Sequence, residues 1–196
     1  MTPTTRDRLI QAASELLWER SYFATGVEEV CARAGARKGS FYHFFPSKTE
    51  LAITAIRARW DYVRGHVFDA ISASGPAGLD RLRRLTDFLA AEQDRSVQFF
   101  HLVLGSPFGN VGQETGHQDE RIRTTVNEVF DSQIGYIARW LEEAVERGEI
   151  LEGDNQQRAR NVLALLEGAL LMAKVGDNVD LFVSVAASVP VVASAL

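Results

Sequence analysis

One cysteine, Cys31, is all the chain carries in 196 residues, so an intrachain disulfide is excluded. Its apolar neighbours point to a buried, inert thiol rather than a redox centre. No uninterrupted apolar run reaches the ~18 residues that span a bilayer, and the N-terminus lacks the charged-then-apolar pattern of a secretory signal. A cytoplasmic location without a membrane partner is therefore expected. Period-two alternation is also missing, which argues against a sheet and for helices punctuated by Gly, Pro and Asn. Catalytic signatures are absent: there is no GxSxG elbow, no phosphate loop ending in GK[ST] and no HExxH pair. The histidines, His43, His66, His101 and His117, are scattered without metal-ligand spacing. The reading is a non-enzyme with no catalytic residue, metal or cofactor.

A hydrophobic share of 46% over this length can bury a real core, most simply as one small and one larger domain. The formal charge of -5 is unevenly divided. Residues 1 to 50 hold seven Lys or Arg against six Asp or Glu, and the remaining 14 against 20 carry the acid. A head of net +1 is weakly basic. Any contact it makes with nucleic acid must rest on placed groups more than on a broad basic patch, with a modest dependence on salt.

The helical pattern begins at about Thr4, where Thr4 and Asp7 can cap a helix to Arg20 with Leu9, Ile10, Ala13, Leu16 and Leu17 inward. Thr25 and Glu28 have capping-box spacing for a short second helix that Gly35 ends in a left-handed turn. A third runs from Lys38 to about Phe45 and is stopped by Pro46. Ser47 and Glu50 form another capping box, opening a long helix from Lys48 to about Ala73. Two short helices and a third helix start around one glycine turn suit a helix-turn-helix. The proposed boundary separates residues 1–50 from 51–196 and makes the fourth helix a lever between them.

The third helix carries the chemistry. Its N-terminal amides at Lys38, Gly39 and Ser40 suit an anionic oxygen, and Gly39 lets a phosphate come close. Tyr42 and His43 add donors for phosphate or base edges, and Arg37 and Lys38 add charge. Lys48 opens the next helix beside a further amide cluster. Phe41 and Phe45, four apart, share a helix face and read as core.

The segment GARKGSFYHFFPSKTEL, residues 35 to 51, closely resembles the recognition segment of the TetR family of bacterial transcriptional repressors. The resemblance implies an all-α protein. Three N-terminal helices would bind an operator in double-stranded DNA, and a larger helical C-terminal domain would dimerise and hold a small-molecule inducer. Residue by residue it implies backbone contacts from Thr25, Lys38, Gly39, Tyr42 and Lys48, and base reading near Arg37, Ser40 and His43. Phe44 stands where many members carry a histidine or tyrosine, so no DNA contact is transferred to it. Residues 105 to 114, GSPFGNVGQE, resemble one branch of the family in which a cysteine follows the first glycine and some members sense electrophiles. Here that position is Ser106, a poor nucleophile without an adjacent base, so thiol sensing is not inherited.

The remaining helices are expected over about 79–94, 122–146, 155–174 and 178–195. The second half of the helix over 155–174, LALLEGALLMA at residues 163 to 173, is apolar on nearly every face and demands burial on two sides. A homodimer through the two C-terminal helices is expected, since two half-sites require a two-fold partner. The inducer cavity is assigned to Trp60, Phe88, Phe99, His101, Phe108, Asn110, Phe130, Glu167 and Met172, aromatic residues with a few polar ones. Ligand binding would favour an arrangement with poor operator affinity. The competing reading is a helical adaptor that binds only protein, which leaves the Lys38 to Lys48 chemistry unused.

Overall fold

The structure, a computed structural model, describes residues 3 to 195, and every regular element among them is helical. Helix α1 (Thr5–Glu19) is capped as its sequence predicts. The Asp7 amide donates to the Thr4 hydroxyl at 3.2 Å, and the Thr4 amide donates to the Asp7 carboxylate at 3.0 Å. Two orphan donors are thereby satisfied.

Helix α2 (Val27–Arg33) departs from expectation at its start. Gly26 is the capping residue, without a side-chain cap, and Glu28 reaches Lys38 instead. The Thr25 hydroxyl is already committed: it is buried and donates to the Ser21 carbonyl at 2.7 Å. Gly35, at φ 59°, ends the segment as anticipated, and the Ala36 amide returns to the Cys31 carbonyl at 2.9 Å. Helix α3 (Lys38–Phe44) stops one residue early because Phe45, preceding Pro46, is extended. Helix α4 (Lys48–Val63) begins with the Glu50 amide donating to the Ser47 hydroxyl at 3.2 Å. The Glu50 carboxylate pairs with Arg121, so the capping box is only half closed.

Residues 48 to 73 are helical throughout, as expected, but with a π-helical turn Arg64–Phe68 between α4 and α5 (Asp69–Ala73). Aromatic packing accompanies the widened turn. Phe68 stacks on Trp140 with centroids 5.7 Å apart, and the Trp140 indole donates to Ser72 at 3.0 Å. Helix α6 (Leu79–Phe100) runs six residues past its expected end, to His101 in the left-handed conformation at φ 60°. Then follow α7 (Pro107–Thr115), α8 (Glu120–Glu146) and α9 (Asn155–Gly176). The last helix of the sequence reading is two, α10 (Val179–Ala186) and α11 (Val189–Ser194). Pro190 has no amide to continue a hydrogen-bond ladder but fits a first turn, so the helix restarts there.

The chain forms two compact units, and their boundary differs from a cut at residue 50. One contains the chain through Tyr62 together with Pro107–Val129, and the other contains Val63–Ser106 together with the chain from Phe130. In the first, α1, α2, α3 and α7 pack around a core that includes Leu9, Leu16, Phe41, Leu51, Val111 and Ile122. Cys31 belongs to this core, and burial pushes its thiol up from its ordinary ionisation. In the second, α10 and α11 pack on both α6 and α9. Arg158 is buried there and donates to the carbonyls of Ala195 at 3.0 Å and Leu151 at 2.8 Å. A buried cation needs such acceptors, and the Nη2 nitrogen is left without one.

Candidate nucleic-acid interface

The inward side of α3 is fixed by Phe41 and Phe45, both buried, with ring centroids 6.0 Å apart. That anchor turns the opposite side out. Arg37, Lys38, Gly39, Tyr42 and His43 are exposed, Tyr42 by 55%, and Ser40 is half-buried. Phe41 supports Tyr42 edge-on at 5.0 Å, so the exposed phenol has a rigid base.

At the start of α3 the Arg37 side chain makes no cap. The Ser40 amide is taken by the Arg37 carbonyl at 2.9 Å, so the sequence reading of three available amides reduces to those of Lys38 and Gly39. No side chain crowds Gly39: a methyl group there would meet nothing within 4 Å. Lys38 pairs with Glu28 at 2.8 Å, with both side chains largely exposed, and each holds the other charged. Such an exposed pair contributes little to stability. Lys48 is half-buried, with its ammonium 4.2 Å from the centre of the Tyr22 ring, and burial lowers its ionisation from the ordinary lysine value. Thr25 stands apart from this face. Its hydroxyl points inward to Ser21, so it offers no donor at the surface.

Sequence reasoning missed the residues that hold this face from a distance. Glu114 accepts the Tyr22 and Phe23 amides, and Asp119 accepts the Thr49 hydroxyl at 3.1 Å. These contacts cross about 70 to 92 positions of chain, beyond any local spacing signal.

The nine cavity candidates are divided between the two units. Trp60, Phe108 and Asn110 belong to the first unit, where Trp60 and Phe108 are buried edge to face at 6.2 Å. The other six belong to the second. Phe88 and Phe130 are half-buried, and His101 is exposed at the end of α6. Phe99 and Met172 are 74% and 51% exposed. Helical spacing marks an apolar side chain but not whether its face meets the core or the exterior.

Glu167 is the candidate with distinctive chemistry. The buried Ser106 hydroxyl donates to its carboxylate at 2.9 Å, and burial pushes the Glu167 carboxyl up to about 7. The adjoining loop is held by side chains that the sequence did not single out. The Gly105 amide donates to Gln93 at 2.9 Å, and Ser96 donates to the Leu102 carbonyl at 2.9 Å. Elsewhere in this unit a groove of about 560 Å³ opens between α6 and the α10–α11 pair, lined by Leu79, Thr86, Ala90, Phe182, Ala186 and Pro190 among others. None of the nine candidates lines it. Among the described residues no cluster of His, Cys, Asp and Glu could hold a metal ion, and no helix is long and apolar enough to cross a membrane.

Known proteins share both halves of this architecture. Residues 9–55 match the model for bacterial regulatory proteins of the tetR family, and residues 78–188 match the tetracyclin repressor-like C-terminal domain. An HTH-type transcriptional regulator of Mycobacterium tuberculosis is 33% identical over 87% of this chain and 84% of its own. The transcriptional regulator AcuR of Cereibacter sphaeroides is 32% identical over 85% and 74%, respectively. The crystal structure of regulatory protein TetR from Rhodobacter sphaeroides superposes with a TM-score of 0.83 at 30% identity, covering 93% of this chain and 95% of that one.

Proposed function

Because this chain belongs to the TetR family of DNA-binding transcriptional regulators, we propose that it is a repressor released from its operator by a small-molecule inducer. One observation carries the DNA contact: the open start of α3 stands beside exposed Arg37, Tyr42 and His43 on a helix whose aromatic side is locked inward. The Lys38 and Gly39 amides, with the Lys38, Tyr42 and Lys48 side chains, meet the sugar-phosphate backbone. Arg37, Ser40 and His43 lie nearest the base edges. Thr25 serves the fold of the head.

The working form is a cytoplasmic homodimer built through α9 and the α10–α11 pair. Apolar surface supports that assignment. Leu171, Met172 and Val175 expose one side of α9 at helical spacing, and Val183 and Val191 are exposed on the following helices. Ligand response belongs to the helical body, with Glu167 and Ser106 as polar contacts and Phe88 and Phe130 as apolar ones. DNA and inducer oppose each other by linkage, so each lowers the affinity of the other by the same factor.

The test is selection of a duplex by the full-length protein from a random pool, followed by fluorescence anisotropy with variants. Arg37→Ala should relax the selected sequence at one position, costing roughly 1–3 kcal/mol for the preferred base. Tyr42→Phe should weaken all sequences alike. A protein that selects no duplex sinks the proposal.

A further inference from the structure

Glu114 lies near the end of α7, yet both of its carboxylate oxygens are spent on the turn that follows α1. Oε2 accepts the Tyr22 amide at 2.6 Å and Oε1 accepts the Phe23 amide at 2.8 Å. A turn just past a helix has amides without intrahelical acceptors, and a carboxylate satisfies two at once. Tyr22 is held at two further points. Its phenol oxygen lies 3.1 Å from the Thr49 hydroxyl oxygen, and its ring lies under the Lys48 ammonium at 4.2 Å. Thr49 is anchored in turn by donation to Asp119 at 3.1 Å. The ring is thus a platform for the lysine, and Glu114 sets the platform.

We propose that Glu114 is a positioning residue for DNA binding: by clamping the Tyr22 and Phe23 amides it keeps the Tyr22 ring beneath Lys48 and so aims the ammonium at a backbone phosphate. The inference rests on the DNA-binding reading above. Charge and geometry predict opposite signs for its removal. Glu114 is close enough to Lys48 for their charges to interact. As a charge alone it repels a phosphate, and neutralising it tightens binding. As a clamp it loses an acceptor when neutralised, because the amide nitrogen of a glutamine cannot accept an N–H, and binding weakens.

The experiment measures anisotropy of the full-length protein on a duplex selected by the wild type, over a series of KCl concentrations. Glu114→Gln should weaken binding about tenfold and reduce the slope of log K against log salt by about one. Combined with Lys48→Met, it should add less than about twofold to the loss from Lys48→Met alone. Tyr22→Leu retains the clamped amides but removes the platform. It should show the same slope loss, and it decides the matter if Glu114→Gln loses its helical circular dichroism. Tighter binding, unchanged binding, weaker binding with the wild-type slope, or additive losses in the double variant each overturn the positioning role. Failure of the wild type to select any duplex overturns the DNA-binding reading, and this inference with it.

Discussion

Single residues whose partners lie far along the chain account for much of the chemistry. Glu167 is the sharpest case, since burial raises its carboxyl to about 7 from an ordinary 4.5. The folded state therefore holds a proton between these values that the unfolded chain has released. Its contribution to stability falls as pH rises from about 4.5 through about 7 and is level above that. Glu167→Gln keeps an acceptor for the Ser106 hydroxyl and abolishes the titration. Relative to wild type, the variant should gain on the order of 2 kcal/mol between pH 5 and pH 8. Urea unfolding at the two pH values measures this, and an equal difference at both would show that Glu167 does not titrate across the interval.

Whole elements are defined by their ends, and the head shows which end signals suffice. Gly35 occupies a left-handed conformation at φ 59° with nothing within 4 Å of where a methyl group would project. Gly35→Ala therefore tests backbone conformation alone. It should lower stability by roughly 1–2 kcal/mol without altering the core, read as a shift in the urea midpoint at constant m-value. An unchanged midpoint would mean that the turn tolerates a side chain. The Thr25–Glu28 spacing, by contrast, produced no cap, because another partner holds each side chain: the Ser21 carbonyl, four residues back, for Thr25 and Lys38 for Glu28. The π-helical turn and the break before Pro190 were equally hidden, the first in an uninterrupted helical pattern and the second in a run of small apolar residues.

The assembled molecule adds surfaces that no element explains alone. Val175 is 81% exposed and lies three residues from Met172 on α9, an apolar stripe that a lone monomer has no reason to show to water. Met172→Glu together with Val175→Glu should convert the proposed dimer to a monomer in sedimentation velocity at micromolar concentration. Operator affinity should fall by at least about a hundredfold, as one half-site loses its linked partner. A double variant that remains dimeric places the interface elsewhere.

The helical class, the head with its glycine turn, and the exposed character of Arg37, Lys38, Tyr42 and His43 were legible from sequence. Each rests on local rules: a period of 3.6, a residue that alone accepts positive φ, and aromatic residues four apart that share a face. Tertiary structure alone decided that Pro107–Val129 belongs with the head, that Glu114 clamps the turn beneath Lys48, and that Thr25 faces inward. These facts depend on which distant segments share a hydrogen bond or a buried surface. A residue's neighbours in sequence constrain its backbone, but its partners across 70 or more positions are chosen by packing of the whole chain.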